Sequence, residues 1–276
     1  MTVGVLADKL PAGRPVYGVT SLAGELYVLR QKEADQVEVY DVISCRLLRQ
    51  LTVPNACGYS DMTSCEHHRC LYISDPTIKC VHRLDVGGGT CTQWAVDDVP
   101  SGLSVNSANN VLITCTLVRK IKEFSTDGDA LCQVTLPDDV INPLHAIQTV
   151  SGGFLVCHGD DCDPLQRVCL VSADGRHTLT LRCHGGKPGS DTNQYKVARH
   201  LAIDANQYVF VADLNNWRVA LLSSTLGYIR HVLTSEQFEW GPDRLCLDAS
   251  RRRLYVAENR WDDGGWIAGR VLVFTI

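Results

Sequence analysis

The chain has 276 residues, 45% of them hydrophobic and 21% charged, with 26 basic against 31 acidic side chains for a formal charge of −5. That balance is globular and excludes disorder, collagen and coiled coil, and the acidic surplus speaks against a protein that wraps a phosphate backbone. No stretch approaches a spanning run of apolar residues, and the start Met-Thr-Val-Gly-Val-Leu-Ala-Asp-Lys lacks the pattern of a signal peptide.

In chain order, Thr2 to Leu6 reads as a lone strand, and a repeat begins near Tyr17. An apolar triplet then recurs: Leu26-Tyr27-Val28, Leu71-Tyr72-Ile73, Val111-Leu112-Ile113, Phe154-Leu155-Val156, Val209-Phe210-Val211 and Leu254-Tyr255-Val256. Successive central residues lie 45, 40, 43, 55 and 45 positions apart, the size of a four-stranded propeller blade. The fifth unit is the plainest. A strand from His200 to Asp204, a turn at Ala205 to Gln207 and a strand from Tyr208 to Ala212 lead into Arg218 to Leu222 and Tyr228 to Leu233. Helical periodicity is absent over comparable lengths. The sixth unit has three strands, near 243–248, 253–257 and 270–275, and lacks a fourth. The expectation is an all-β, six-bladed β-propeller, one domain over 1–276, closed when the N-terminal strand completes the last blade and covers its edge. An open array of six repeats is the competing architecture.

The fifth unit also carries a signature: Gly186-Lys187-Pro188-Gly189, Gln194-Tyr195, His200-Leu201-Ala202-Ile203-Asp204, then Val211-Ala212-Asp213-Leu214-Asn215-Asn216-Trp217-Arg218-Val219. It resembles an NHL repeat. Gly241-Pro242 to Leu247-Asp248 and Val256-Ala257-Glu258-Asn259 are similar more loosely, and the first four units keep only the rhythm. Ala198 and His200 stand where that pattern has Pro and Gly. The resemblance implies a six-bladed propeller acting as a recognition module, such as the C-terminal domain of tripartite-motif proteins. It also implies that Arg218 ties blade to blade.

In a propeller blade the innermost strand starts at the top face and the second strand returns there. Residues entering the six first strands are Gly18, Asp61, Gly102, His145, His200 and Arg244; those leaving the second strands are Arg30, Asp75, Cys115, His158, Asp213 and Glu258. These twelve are expected to ring the mouth of the central channel, a concave polar site. Top loops at 158–166 and 258–270 are long; Trp217, Trp261 and Trp266 lie on the top loops of blades five and six. Trp and Arg commonly anchor interfaces, although each Trp could equally cover a blade edge. The longest link, 184–198, joins blades four and five and is a further candidate for function.

Other motifs carry less. Gly185-Gly186-Lys187-Pro188 lacks the Ser or Thr of a phosphate loop, and no Gly-x-Ser-x-Gly occurs. Cys65-Glu66-His67-His68-Arg69-Cys70 sits on one tight bottom turn, a poor cage for zinc. The Asp160, Asp161 and Asp163 run reads as a solvated loop. His145, His158 and His200 share one expected mouth, and three His ligands with an open position would suit a catalytic zinc. A metal-dependent lyase or lactonase is therefore one alternative; the expectation is no metal, no cofactor and no catalytic residue. Basic top-loop residues Lys32, Lys79, Arg119, Lys120, Arg167 and Arg218 mix with Asp75, Asp160, Asp161, Asp163, Asp262 and Asp263, while Arg251 to Arg253 fall on a bottom turn. That mixture suits a protein or peptide ligand better than RNA, the other alternative. Thirteen cysteines without a secretory signal read as reduced strand-core thiols in a cytoplasmic, monomeric recognition domain.

Overall fold

A computed structural model describes residues 5–30, 36–171 and 182–276. Strand β1 (Val5–Lys9) stands alone before the first blade. Blade one is β2 (Val16–Leu22), β3 (Glu25–Arg30), β4 (Gln36–Asp41) and β5 (Leu47–Thr52). Blade two is β6 (Asp61–Cys65), β7 (Cys70–Asp75), β8 (Cys80–Asp85) and β9 (Cys91–Ala95). Blade three is β10 (Leu103–Val105), β11 (Val111–Cys115), β12 (Lys120–Phe124) and β13 (Ala130–Thr135). Blade four is β14 (Pro143–Gln148), β15 (Phe154–His158), β16 (Gln166–Val171) and β17 (Arg182–Gly186). Blade five is β18 (Ala198–Ile203), β19 (Val209–Asp213), β20 (Arg218–Leu222) and β21 (Tyr228–Leu233). Blade six is β22 (Gly241–Asp248), β23 (Arg253–Asp262), β24 (Gly265–Thr275) and, as its outer strand, β1. This is the six-bladed propeller, closed by the N-terminal strand, that the repeat implies.

The recurring triplets fall on second strands, and β7, β11, β15 and β19 are buried at every position. A strand covered on both faces reads as an unbroken apolar run, and here a neighbouring blade lies on each side. Burial falls outward: β5 exposes five of its six residues. The apolar core is accordingly divided into interblade clusters. One of them joins Leu10, Val16, Val19 and Val28 to Tyr255, Ala257, Val271 and Val273, packing blade six on blade one. An open array would leave those two faces bare, so burial itself closes the ring.

Strand β1 adds hydrogen bonds rather than core. All five of its side chains are exposed, while Val5, Leu6, Asp8 and Lys9 pair with Thr275, Phe274, Val273 and Leu272. The pairing continues as Leu10 N–H donates to Val271 O at 2.8 Å and as a bridge between Gly13 and Gly269. The strand was expected at Thr2 to Leu6; it runs on to Lys9, and residues 2–4 lie outside the described residues.

Two further expectations are corrected. The segment 258–270 is not a loop: β23 and β24 continue as a hairpin arm, with Trp261 opposite Trp266 and Asp262 opposite Gly265. Nor are all cysteines thiols. Cys169 and Cys183 stand opposite each other on β16 and β17, Cα atoms 4.3 Å apart, and form a disulfide. The other eleven are free, and Cys65, Cys70, Cys80, Cys115 and Cys157 are buried as expected.

Candidate functional site

Four innermost strands carry a bulge near their start. The register jumps from Val16 to Gly18, from Pro143 to His145, from Ala198 to His200 and from Pro242 to Arg244. A bulge re-aims the side chains around it, and here it sends residues from separate blades to a common centre. Two of the six first-strand positions are glycine, and space explains why. A Cβ on Gly18 would stand 2.4 Å from Met62 Cβ, and one on Gly102 would stand 2.5 Å from Leu144 O. The other four positions fill the axis. His145 and His200 stack with ring centres 3.8 Å apart. Asp61 Oδ2 lies 3.7 Å from His200 Nε2 and 4.0 Å from His145 Nε2, and Asp61 Oδ1 lies 3.3 Å from Arg244 Nε.

Every blade contributes to this plug. Arg244 donates to the carbonyls of Tyr17 at 2.9 Å and Ser60 at 2.7 Å and to Asp243 Oδ1 at 2.7 Å. Asp61 accepts from Met62 N–H and Leu103 N–H, and His145 Nε2 donates to Leu103 O at 3.0 Å. Asp243 also accepts from Arg199 Nε at 2.9 Å and from Asn259 Nδ2 at 2.7 Å. Asn259 then exchanges two hydrogen bonds with the backbone of Val16, locking blade six to blade one.

The electrostatics follow from burial and pairing. Burial, and then the neighbouring His200, push the His145 imidazole down to about 3, so it is neutral. Burial alone would raise Asp61, but His200, Arg244 and His145 hold its carboxyl well below the usual carboxylate range. Asp243 is held low in the same way, against its burial, by Arg244 and Arg199. Two carboxylates thus alternate with two guanidinium groups.

Asp61, His145 and His200 bring ligand atoms within 4.8 Å of one another, a spacing that could hold a metal ion. The surrounding chemistry does not fit one. Arg244 already occupies the cation position beside Asp61, His145 Nε2 is committed to a carbonyl, and His200 Nδ1 accepts from Leu245 N–H. Of the atoms of these three side chains, His145 Nδ1 is the one buried without a partner among the described residues. The expected three-histidine cluster also fails. His158 sits one strand out from the axis, with Nε2 3.4 Å from Cys169 Sγ, and burial pushes it down to about 4.

Of the other five second-strand residues, all buried, four hold the links between blades. Asp75 accepts from the N–H groups of Cys57 and Gly58, Asp213 from that of Lys196, and Glu258 from those of Glu239 and Trp240. Arg30 does the converse, donating to the carbonyls of Pro11, Arg14 and Gly269 while pairing with Glu38. Cys115 is simply buried in the core between blades two and three. Arg218 pairs with Asp213 at 2.7 Å and donates to the carbonyls of Ser190, Asp191 and Gln194. The long link 184–198 is therefore a fixed wall.

Beside the axis lies an open feature. Two adjoining cavities of about 440 and 300 Å³ share Leu214, Asn215, Trp261 and Trp266 as walls. The smaller adds Trp217, Trp240 and Arg260; the larger adds Asp160, Asp161 and Arg199. Together they form a groove over blades four to six. The three tryptophans named from the sequence converge here: Trp261 is 61% and Trp217 41% exposed, and the Trp261 and Trp266 rings meet edge to face at 5.2 Å. Arg199, Asp243, Asn259 and Trp240 were not identified from sequence. For Arg199 and Asp243 no alternation signal exists, because each is the extra residue of a bulge. The arm did have one: Asp-Asp-Gly-Gly between two Trp is a hairpin turn in composition.

No protein-family model matches the chain, and no curated protein does. Solved structures do. The chain is similar to Kuenenia stuttgartiensis hydrazine synthase, with a TM-score of 0.64, 13% identity and 92% of this chain and 94% of that one covered. It is similar to virginiamycin B lyase from Staphylococcus aureus, solved in a catalytically inactive form with quinupristin, at TM-score 0.63 and 9% identity over 99% and 98% of the two chains. The β-propeller domain of Myceliophteria thermophila Cps50 (Swd1) gives 0.64 and 12% identity over 99% of each. At these identities the likeness is one of fold.

Proposed function

We propose that this propeller is a non-catalytic recognition module that binds a protein or peptide ligand in the tryptophan groove of its top face. The observation that carries this reading is the convergence of Trp217, Trp261 and Trp266 on one open, polar-rimmed cavity. Exposed aromatic anchors beside charged rims are where interface energy concentrates. The charge distribution supports protein over RNA. Arg218 is consumed internally, Arg119 pairs with Asp138 at 2.9 Å, and Arg167 lies 3.4 Å from Asp139. Lys32 lies outside the described residues. The NHL-type reading is supported by the work its signature residues do, since Asp213, Asn216 and Arg218 together hold the link into blade five.

The test is a binding assay with the partner captured from native lysate. Trp261→Ala and Trp266→Ala should each weaken it about tenfold or more, the loss of about 1.4 kcal/mol or more. Arg251→Ala with Arg252→Ala, on the opposite face, should leave it unchanged. Loss in the bottom-face variant with retention in folded Trp variants would put the site on the wrong face.

A further inference from the structure

The groove also specifies what chemistry it takes. Arg199 lines its larger cavity, with the side chain 27% exposed. Its Nε is fixed on Asp243, but neither Nη1 nor Nη2 has a protein acceptor among the described residues. The contrast with the other inner arginines is complete. Arg30, Arg218 and Arg244 each spend their terminal nitrogens on backbone carbonyls or a carboxylate. Arg199 is thus a guanidinium held at one edge by a bulge and a buried acid, lining a cavity whose rim acid Asp160 acts on its charge without accepting a hydrogen bond from it. A planar pair of donors matches the two oxygens of a carboxylate, and a donor already immobilised loses little entropy on binding.

Resting on the proposed reading of the groove, we propose that it recognises a peptide carrying one carboxylate, an Asp or Glu side chain or a free C-terminus, next to an apolar or aromatic residue. The carboxylate sits on the Arg199 fork, and the neighbouring side chain packs among Trp217, Trp261 and Trp266. Asp160 and Asp161 stand on the rim of the same cavity, and Asp161 is partly engaged by Asn215. These exposed acids are screened by water more than the partly buried Arg199 is. They disfavour a dianion or a run of acids, which selects a single carboxylate over a phosphate.

The experiment uses N-acetylated pentapeptide positional libraries, each synthesised as the C-terminal acid and as the amide, against the full chain, Arg199→Lys and Trp261→Ala. Lysine keeps a positive charge beside Asp243 and loses the fork, and melting curves check that each variant folds. Selected peptides should bind the parent about tenfold better with Glu than with Gln at the selected position, or as acid rather than amide. That ratio should fall to about one in Arg199→Lys, a change that general loss of folding does not produce. Acid against amide separates a C-terminus from a side chain. Peptides that need Trp261 yet show no preference for Glu over Gln, or that prefer Lys or phosphoserine, overturn this proposal and leave the groove reading standing. No peptide binding tighter than about 1 mM, or binding indifferent to Trp261→Ala, overturns both.

Discussion

The axis and the groove lie side by side and share Arg199, yet they are built on opposite principles. At the axis, titratable groups from four blades meet and pair with one another: Asp61 faces two histidines and Arg244, and Asp243 faces Arg199 and Arg244. In the groove the apolar surface is exposed and two guanidinium nitrogens have no acceptor among the described residues. On the reading proposed above, the dense cluster of His, Asp and Arg is structural, and the ligand is sought instead where unspent bonding capacity lies beside apolar surface. Satisfied polar networks rigidify, and this one holds the floor on which the groove's single fixed fork is mounted.

The comparison can be broken first at the ring on which both regions depend. Deleting residues 1–8 removes most of β1 and uncovers the edge of β24, a template for pairing with other chains. Size-exclusion chromatography should show loss of soluble monomer; a monomeric truncation with unchanged melting would mean that β1 does not hold the ring shut.

A smaller effect separates the two regions directly. Asp61→Ala leaves Arg244 and the Leu103 amide short of an acceptor at the centre, and removing one partner from a buried charge pair costs roughly 3–5 kcal/mol. Chemical denaturation should show it, while Trp261→Ala, more than half exposed, should shift the midpoint little. Equal stability losses would erase the distinction between filled axis and open groove.

Acid sharpens it more gently. His145 and His158 are held neutral, down to about 3 and about 4, whereas in the unfolded chain they protonate near 6.5. As pH falls below 6.5 the unfolded chain takes up protons that the folded one refuses, so stability declines by up to about 1.4 kcal/mol per pH unit for each histidine. Urea midpoints between pH 7 and pH 4.5 measure the slope, and His158→Gln should reduce it without touching peptide binding. A flat profile would place water, not protein, around these rings.

Much of this was legible in the sequence, and the boundary is physical. The strand period, the six blades and the closing strand follow from where apolar triplets recur, because a strand buried between two blades needs them. Aligning first strands also groups Gly18, Asp61, Gly102, His145, His200 and Arg244 as an open ring at the mouth, whereas the four side chains among them are buried and fill the axis. The second-strand positions were placed at the same mouth, but Asp75, Asp213 and Glu258 turn to the backbone of the links instead, and nothing in residue type distinguishes the two destinations. Arg199 and Asp243 were hidden by bulges, which break the alternation that tells inside from outside. The Cys169–Cys183 pair depends on the register between two strands, which composition does not set.

The pairing of β1 with β24 has a mechanical consequence. Because the strands are antiparallel and Val5 lies opposite Thr275, the two ends of the described chain emerge from the same end of one ladder. Tension applied across them pulls at right angles to the strands and loads one hydrogen bond at a time, as in a zipper, instead of shearing all of them together. A propeller stretched by its ends in an optical trap should therefore yield first at its seam, at low force, with the remaining strands of blade six still packed on their neighbours. Relaxing the tether should let the seam close again before the other blades have opened.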